Sequence, residues 1–143
     1  MRIKTVLAWM FVFLYASWAG ATSSVEGRWT TIDDKTGEKR AVIYLFTKEN
    51  TLYGVIEKVY PRPGDTGICS ECPGEFKDKP IHGLQIVWGL KEKSDGSWDD
   101  GHILDAKSGK IYRTQMSVKN EQLSVRGYVG IPMLGRTQLW VRE

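Results

Sequence analysis

From Glu26 onward the chain never runs far before a turn signal stops it. Asp33-Asp34-Lys35-Thr36-Gly37, Glu49-Asn50, Lys93-Ser94-Asp95-Gly96, Ala106-Lys107-Ser108-Gly109 and Lys119-Asn120-Glu121 punctuate it. Apolar and polar side chains tend to alternate in the runs between them, which is the period of a β-strand. Tight turns between alternating runs predict antiparallel hairpins. The expected strands are Val25 to Ile32, Arg40 to Lys48, Leu52 to Val59, Leu84 to Leu90, Trp98 to Leu104, Lys110 to Val118, Gln122 to Val129 and Arg136 to Arg142. No segment sustains a helical period, so long helices are not expected. An antiparallel meander of about eight to ten strands closes most simply into an up-and-down β-barrel, which leaves no sheet edge exposed.

The first 21 residues have a different character. Arg2 and Lys4 precede an apolar run, Val6 to Tyr15, that is short for a membrane span. Ala19-Gly20-Ala21 has the small-x-small form of a signal-peptidase site, so cleavage is expected after Ala21. The domains are then a signal peptide, 1–21, and one β-barrel domain, 22–143, with no membrane span after cleavage and an exported protein, periplasmic or secreted. Loss of Arg2 and Lys4 takes the formal net charge from +3 to +1. A near-neutral chain without a basic stripe speaks against nucleic acid as a partner.

One long interruption separates the hairpins. Tyr60 to Leu84 holds both cysteines, Cys69 and Cys72, and four of the five prolines. In an oxidising compartment two cysteines predict one disulfide. Closing so short a loop contributes about 2 kcal/mol, enough to shape the loop but not to staple the fold. Two alternatives stay open. A redox dithiol would want the first thiol at a helix N-terminus, but Pro73-Gly74 follows at once. A zinc site would draw on Cys69, Cys72, His82 and His102, but the histidines lack the usual spacing. Asp95, Asp99, Asp100 and Asp105 crowd oxygen ligands around Trp98 without the spacing of a calcium loop, so they read as solvated turns. No nucleophile–base pairing is visible; neither catalysis, metal nor cofactor is expected.

Gly27-Arg28-Trp29 resembles the G-x-W signature of lipocalins, although Gly96-Ser97-Trp98 repeats the spelling. In that superfamily the tryptophan packs near the closed end of the barrel, often against a late-strand arginine. Arg142, Arg136 and Arg126 are candidates here, Arg142 foremost. The mature chain as a whole resembles a family of small exported bacterial proteins catalogued as domain of unknown function 2147. The matching residues run from Gly27-x-Trp29 through Cys69-x-x-Cys72, Pro80-Ile81-x-Gly83-Leu84 and Trp98-x-x-Gly101-x-Ile103-x-Asp105. They continue through Gly109-Lys110-x-Tyr112 and Arg126-Gly127-Tyr128-x-Gly130 to Gln138-x-Trp140-x-Arg142. Family members usually carry proline where this chain has Ala106. The resemblance implies a lipocalin-like or fatty-acid-binding-protein-like barrel, and no catalytic residue.

The chain is rich in aromatics, and aromatics lining a barrel suit a flat or acyl ligand. Trp29, Tyr44, Tyr53, Trp88, Tyr112 and Tyr128 are the candidate ligand-binding residues, with Gly27, Trp29 and Arg142 structural. The expected function is an exported, non-enzymatic protein holding a small apolar or amphipathic ligand inside the barrel. The alternatives are a structural or protein-interaction module with a filled barrel, its protein partner unidentified, and a thiol redox protein. Eight-stranded barrels occur both solid and hollow.

Overall fold

Residues 24–143 are described by the structure, a computed structural model. The apolar leader and the expected cleavage after Ala21 lie outside the described residues.

Eight strands form: β1 (Gly27–Ile32), β2 (Lys39–Lys48), β3 (Thr51–Val59), β4 (Gln85–Glu92), β5 (Trp98–Leu104), β6 (Ile111–Lys119), β7 (Gln122–Tyr128) and β8 (Arg136–Arg142). Each pairs antiparallel with the next, and β1 closes on β8, so the sheet is an all-β up-and-down barrel. The closing seam is short, Trp29 opposite Arg142 and Thr30 opposite Val141. Two hairpins turn on two residues with both φ values positive, Glu49-Asn50 and Asn120-Glu121. That is the hairpin geometry whose twist matches the flanking strands.

The alternation decides what faces inward. Trp29, Ile43, Leu45, Leu52, Leu90, Met116, Leu123 and Trp140 are fully or almost fully buried in one cluster. Gly54 and Gly101 make room for this packing. A Cβ on Gly54 would lie 2.7 Å from Leu45, and one on Gly101 would lie 2.4 Å from Leu90. Bulky leucines thus fill the space that two missing side chains leave. A water-sized void would leave accessible area on its walls, yet Trp29, Leu45, Leu52, Val87, Leu90 and Leu123 have none. The lower and middle lumen is solid at the density of a protein core.

Up-and-down topology sends alternate connections to opposite ends. The short turns at 49–50, 93–97 and 119–121 share one end with the entering N-terminal segment. The other end carries the 33–38 turn, the long 60–84 loop, the 105–110 turn and the 129–135 loop. The 60–84 loop is an ordered structure. It pairs Ile68 with Pro80 in an isolated bridge and winds one 3₁₀ turn at Gly74–Phe76. Cys69 and Cys72 are buried in the main core cluster, with Phe76, Ile81 and Ala106 packed against it. The loop is therefore folded onto that end of the barrel.

Candidate functional site

The closed end is built around Trp29. Its indole is fully buried and its Nε1 donates to the Val25 carbonyl at 2.8 Å. The Arg142 guanidinium lies over the ring, 4.0 Å from its centroid, within cation–π range. Arg142 also donates to the carbonyls of Ser24, at 2.6 Å, and Glu26, at 3.1 Å. Gly27 has φ +121°, and a Cβ there would lie 3.1 Å from Arg142 Nη1. The three structural residues of the first and last strands thus form one assembly that ties the entering segment across the barrel floor. Arg136 instead pairs with Asp34, and Arg126 with the 129–135 loop.

At the other end the inward-facing side chains become half-buried and mixed in character. Thr31, Ala41, Ile103, Tyr112 and Gln138 belong to the inward face by register, and all are of intermediate burial. Beneath them lies Thr114, fully buried on the same face of β6 as Tyr112 and Met116. Its cross-strand neighbours are Gly101 and Gly127, which offer no side chain to bond. Among the described residues, Thr114 Oγ1 is the one buried side-chain polar atom without a hydrogen-bond partner. Leaving such a group unpaired costs about 1–3 kcal/mol. The result is a rim of mixed polarity above a solid floor, with an unpaired hydroxyl covered beneath it and no surface of its own exposed. The sequence places Thr114 between Tyr112 and Met116 on one face, but it does not show that both cross-strand neighbours lack side chains.

The aromatic candidates do not converge on the lumen. Trp29 is part of the floor, and Tyr112 is at the mouth. Tyr44 and Tyr53 face outward, each stacked on Phe46, with Arg28 over Tyr44. Tyr44 is 37% exposed. Trp88 stacks on His102 and on Phe76 of the long loop, outside the barrel. Tyr128 is buried, but beneath the 129–135 loop: it pairs with Arg113 on the outer face, and a Cβ on Gly135 would lie 2.8 Å from its Cβ. Alternation leaves the choice of face open in β2, where both faces are apolar. A bulge on β4 opposite Tyr53 further shifts what its sequence period suggests.

Cys69 and Cys72 are joined in a disulfide. Their sulfurs are spent on each other, so the zinc alternative loses its thiolates. The acidic residues near Trp98 diverge. Asp99 accepts from Gln115, Asp100 pairs with Lys93, and Asp105 accepts from the Lys107 amide and the Ser108 hydroxyl. Asp33 caps the first turn, where the amides of Thr36 and Lys35 hold its carboxyl down at about 2. On the outside, the Arg28 guanidinium lowers the Glu57 carboxyl by direct hydrogen bonding. Two broad depressions are present, one of about 1000 Å³ at the closed end of the barrel, lined by inward-facing Thr47, Trp98 and Val118 and by the 93–97 turn, and one of about 470 Å³ over Asp99, Gln115 and Arg126.

Residues 27–142 match the model of a family described as uncharacterized protein conserved in bacteria, DUF2147. No curated protein matches the sequence. Among solved structures, protein HP1028 from the human pathogen Helicobacter pylori, described as belonging to the lipocalin family, superposes with a TM-score of 0.73 at 16% identity. The match covers 85% of this chain and 84% of that one. At that identity the likeness is one of fold, and the fold is a lipocalin-like barrel.

Proposed function

Since this chain belongs to the bacterial family DUF2147 and is built on a lipocalin-like barrel, we propose that it is an exported, non-catalytic protein that binds a small amphipathic ligand at the mouth of its barrel. The observation that carries this reading is Thr114 Oγ1, buried and unpartnered beneath Tyr112 at a rim of mixed polarity. The lumen below is filled, so the ligand sits shallowly, its apolar part against Ala41 and Ile103, and its polar group reaches the covered hydroxyl once the Tyr112 ring swings aside. Export is supported by the basic-apolar-small leader and by the disulfide.

Purified, delipidated protein titrated with a dansylated fatty acid tests this through energy transfer from tryptophan. One saturable site is expected. Thr114→Val should weaken it about two- to tenfold, the worth of one hydrogen bond, while leaving the unliganded protein as stable or more so. Tyr44→Ala, outside the barrel, should change nothing. Saturable binding that ignores Thr114→Val and Tyr112→Ala removes the mouth as the site. N-terminal sequencing of envelope material, expected to begin at Thr22, tests export separately.

A second reading has its own support. The outward stack of Tyr44, Phe46 and Tyr53 beside Arg28 is the kind of aromatic surface that protein interfaces favour. On this reading the filled barrel is a scaffold, and Tyr44→Ala rather than Thr114→Val is the damaging change.

A further inference from the structure

The 129–135 loop presents four apolar side chains to solvent: Val129 at 70%, Ile131 at 53%, Met133 at 85% and Leu134 at 78% exposure. They cluster on one short connection between β7 and β8, whereas scattered exposed apolar residues would need no explanation. We propose that this loop is a lipid-docking tip that seats the open end of the barrel on an anionic membrane surface.

Backbone satisfaction is the first ground. A loop exposed to water can leave its backbone groups to solvent, but one that enters an apolar medium cannot. Here Arg126 spreads its guanidinium under the loop. Its Nε donates to the Pro132 carbonyl at 2.7 Å, and its Nη2 reaches the Gly135 and Met133 carbonyls at 3.3 and 3.5 Å. Nη1 donates to Thr137 Oγ1 at 2.7 Å. The Leu134 amide donates to the Ile131 carbonyl and the Gly135 amide to the Pro132 carbonyl. Pro132 has no amide hydrogen to satisfy. The 3₁₀ turn at Pro132–Leu134 is thus closed on itself, with its side chains turned out.

Charge gives the second ground. From Gln122 to Arg142 there is no acidic residue, only Arg126, Arg136 and Arg142. The 33–38 and 105–110 turns flank the loop at the same end. Their acids are engaged: Asp33 and Glu38 with Arg62, Asp34 with Arg136, and Asp105 within its own turn. Exposed Lys35, Lys39, Lys107 and Lys110 make no salt bridge among the described residues. An exposed apolar tip at an end that also carries uncommitted lysines suits an anionic bilayer, which needs no complementary pocket. Affinity for such a surface grows with the apolar area inserted and with the attraction of nearby cations.

Co-sedimentation with vesicles of phosphatidylethanolamine and phosphatidylglycerol tests the proposal. The wild-type protein should partition onto them, and less onto vesicles of phosphatidylcholine alone. The double change Met133→Ser and Leu134→Ser touches only exposed side chains and should lower partitioning by about tenfold or more, with the thermal midpoint unchanged. An environment-sensitive fluorophore attached at Leu134→Cys should shift to the blue on vesicle addition, while one at Lys48→Cys, at the opposite end, should not. Equal partitioning of the double variant, or an unshifted fluorophore at position 134, overturns the proposal. So does a concentration-dependent dimer in light scattering that the double variant abolishes, since the tip would then dock on a second copy of the chain. None of these readouts depends on a ligand at the mouth, so this proposal and the ligand reading fail separately.

Discussion

Removing the guanidinium of Arg142 while keeping its stem, as in Arg142→Met, is the most informative single perturbation of this fold. Four interactions are lost together, the weakest being the exposed ion pair with Glu121 at 3.5 Å, which is worth little. The contact over Trp29 at 4.0 Å is worth about 0.5–2 kcal/mol. The two bonds to the Ser24 and Glu26 carbonyls contribute about 1 kcal/mol each, because both acceptors can turn to water instead. The expected cost is about 2–4 kcal/mol, using those same per-interaction values. Trp29→Ala should cost about 3–5 kcal/mol as a large buried aromatic. In the Trp29→Ala background, Arg142→Met no longer loses the cation–π contact. The double variant should therefore be more stable than the summed single losses by about 0.5–2 kcal/mol. Urea unfolding of the four proteins, followed by circular dichroism, measures this. Additivity within about 0.5 kcal/mol would show that ring and cation are neighbours without being coupled, and would refute the floor assembly as a unit.

Replacing both Cys69 and Cys72 by serine should lower stability by about 2 kcal/mol with the barrel intact by circular dichroism. An insulin-reduction activity lost in that variant would instead mark the pair as a working dithiol. Gly109→Ala should be worse than either cysteine change alone, because φ there is +74° and the added Cβ would lie 1.8 Å from the Glu71 carbonyl oxygen. A cost of about 2–5 kcal/mol is expected from left-handed strain plus backbone overlap, or else release of the 60–84 loop, seen as new protease cleavage between Tyr60 and Leu84.

Much of the outside chemistry was illegible for a definite reason. Tyr44, Tyr53 and Tyr128 have the right residue type for a binding cavity, and each lies on a strand that truly lines the barrel. Which face they occupy depends on the parity of the register. Where both faces of a strand are apolar, as in β2, parity cannot be read from polarity. Tyr128 is buried, as expected of a core aromatic, but by a loop on the outer face. The stretch from Gly130 to Gly135 reads only as a connecting loop, because nothing in it says that Arg126 will clamp three of its carbonyls.

The sequence determined what depends on neighbours along the chain. Strand alternation, turn chemistry at Glu49-Asn50 and Asn120-Glu121, and the count of runs specify an antiparallel meander of about eight to ten strands, and closure follows because a meander otherwise leaves two bare edges. Gly27, Trp29 and a late arginine were recognisable as a set by resemblance. The tertiary structure alone decided whether the barrel is hollow. That rests on Gly54 meeting Leu45 and Gly101 meeting Leu90, on two glycines flanking Thr114, and on the cysteine loop folding onto the open end. Each is a contact between strands or between loop and barrel, set by register and side-chain volume rather than by neighbours along the chain. Close packing fixes such contacts through the summed volumes of side chains that no local pattern records.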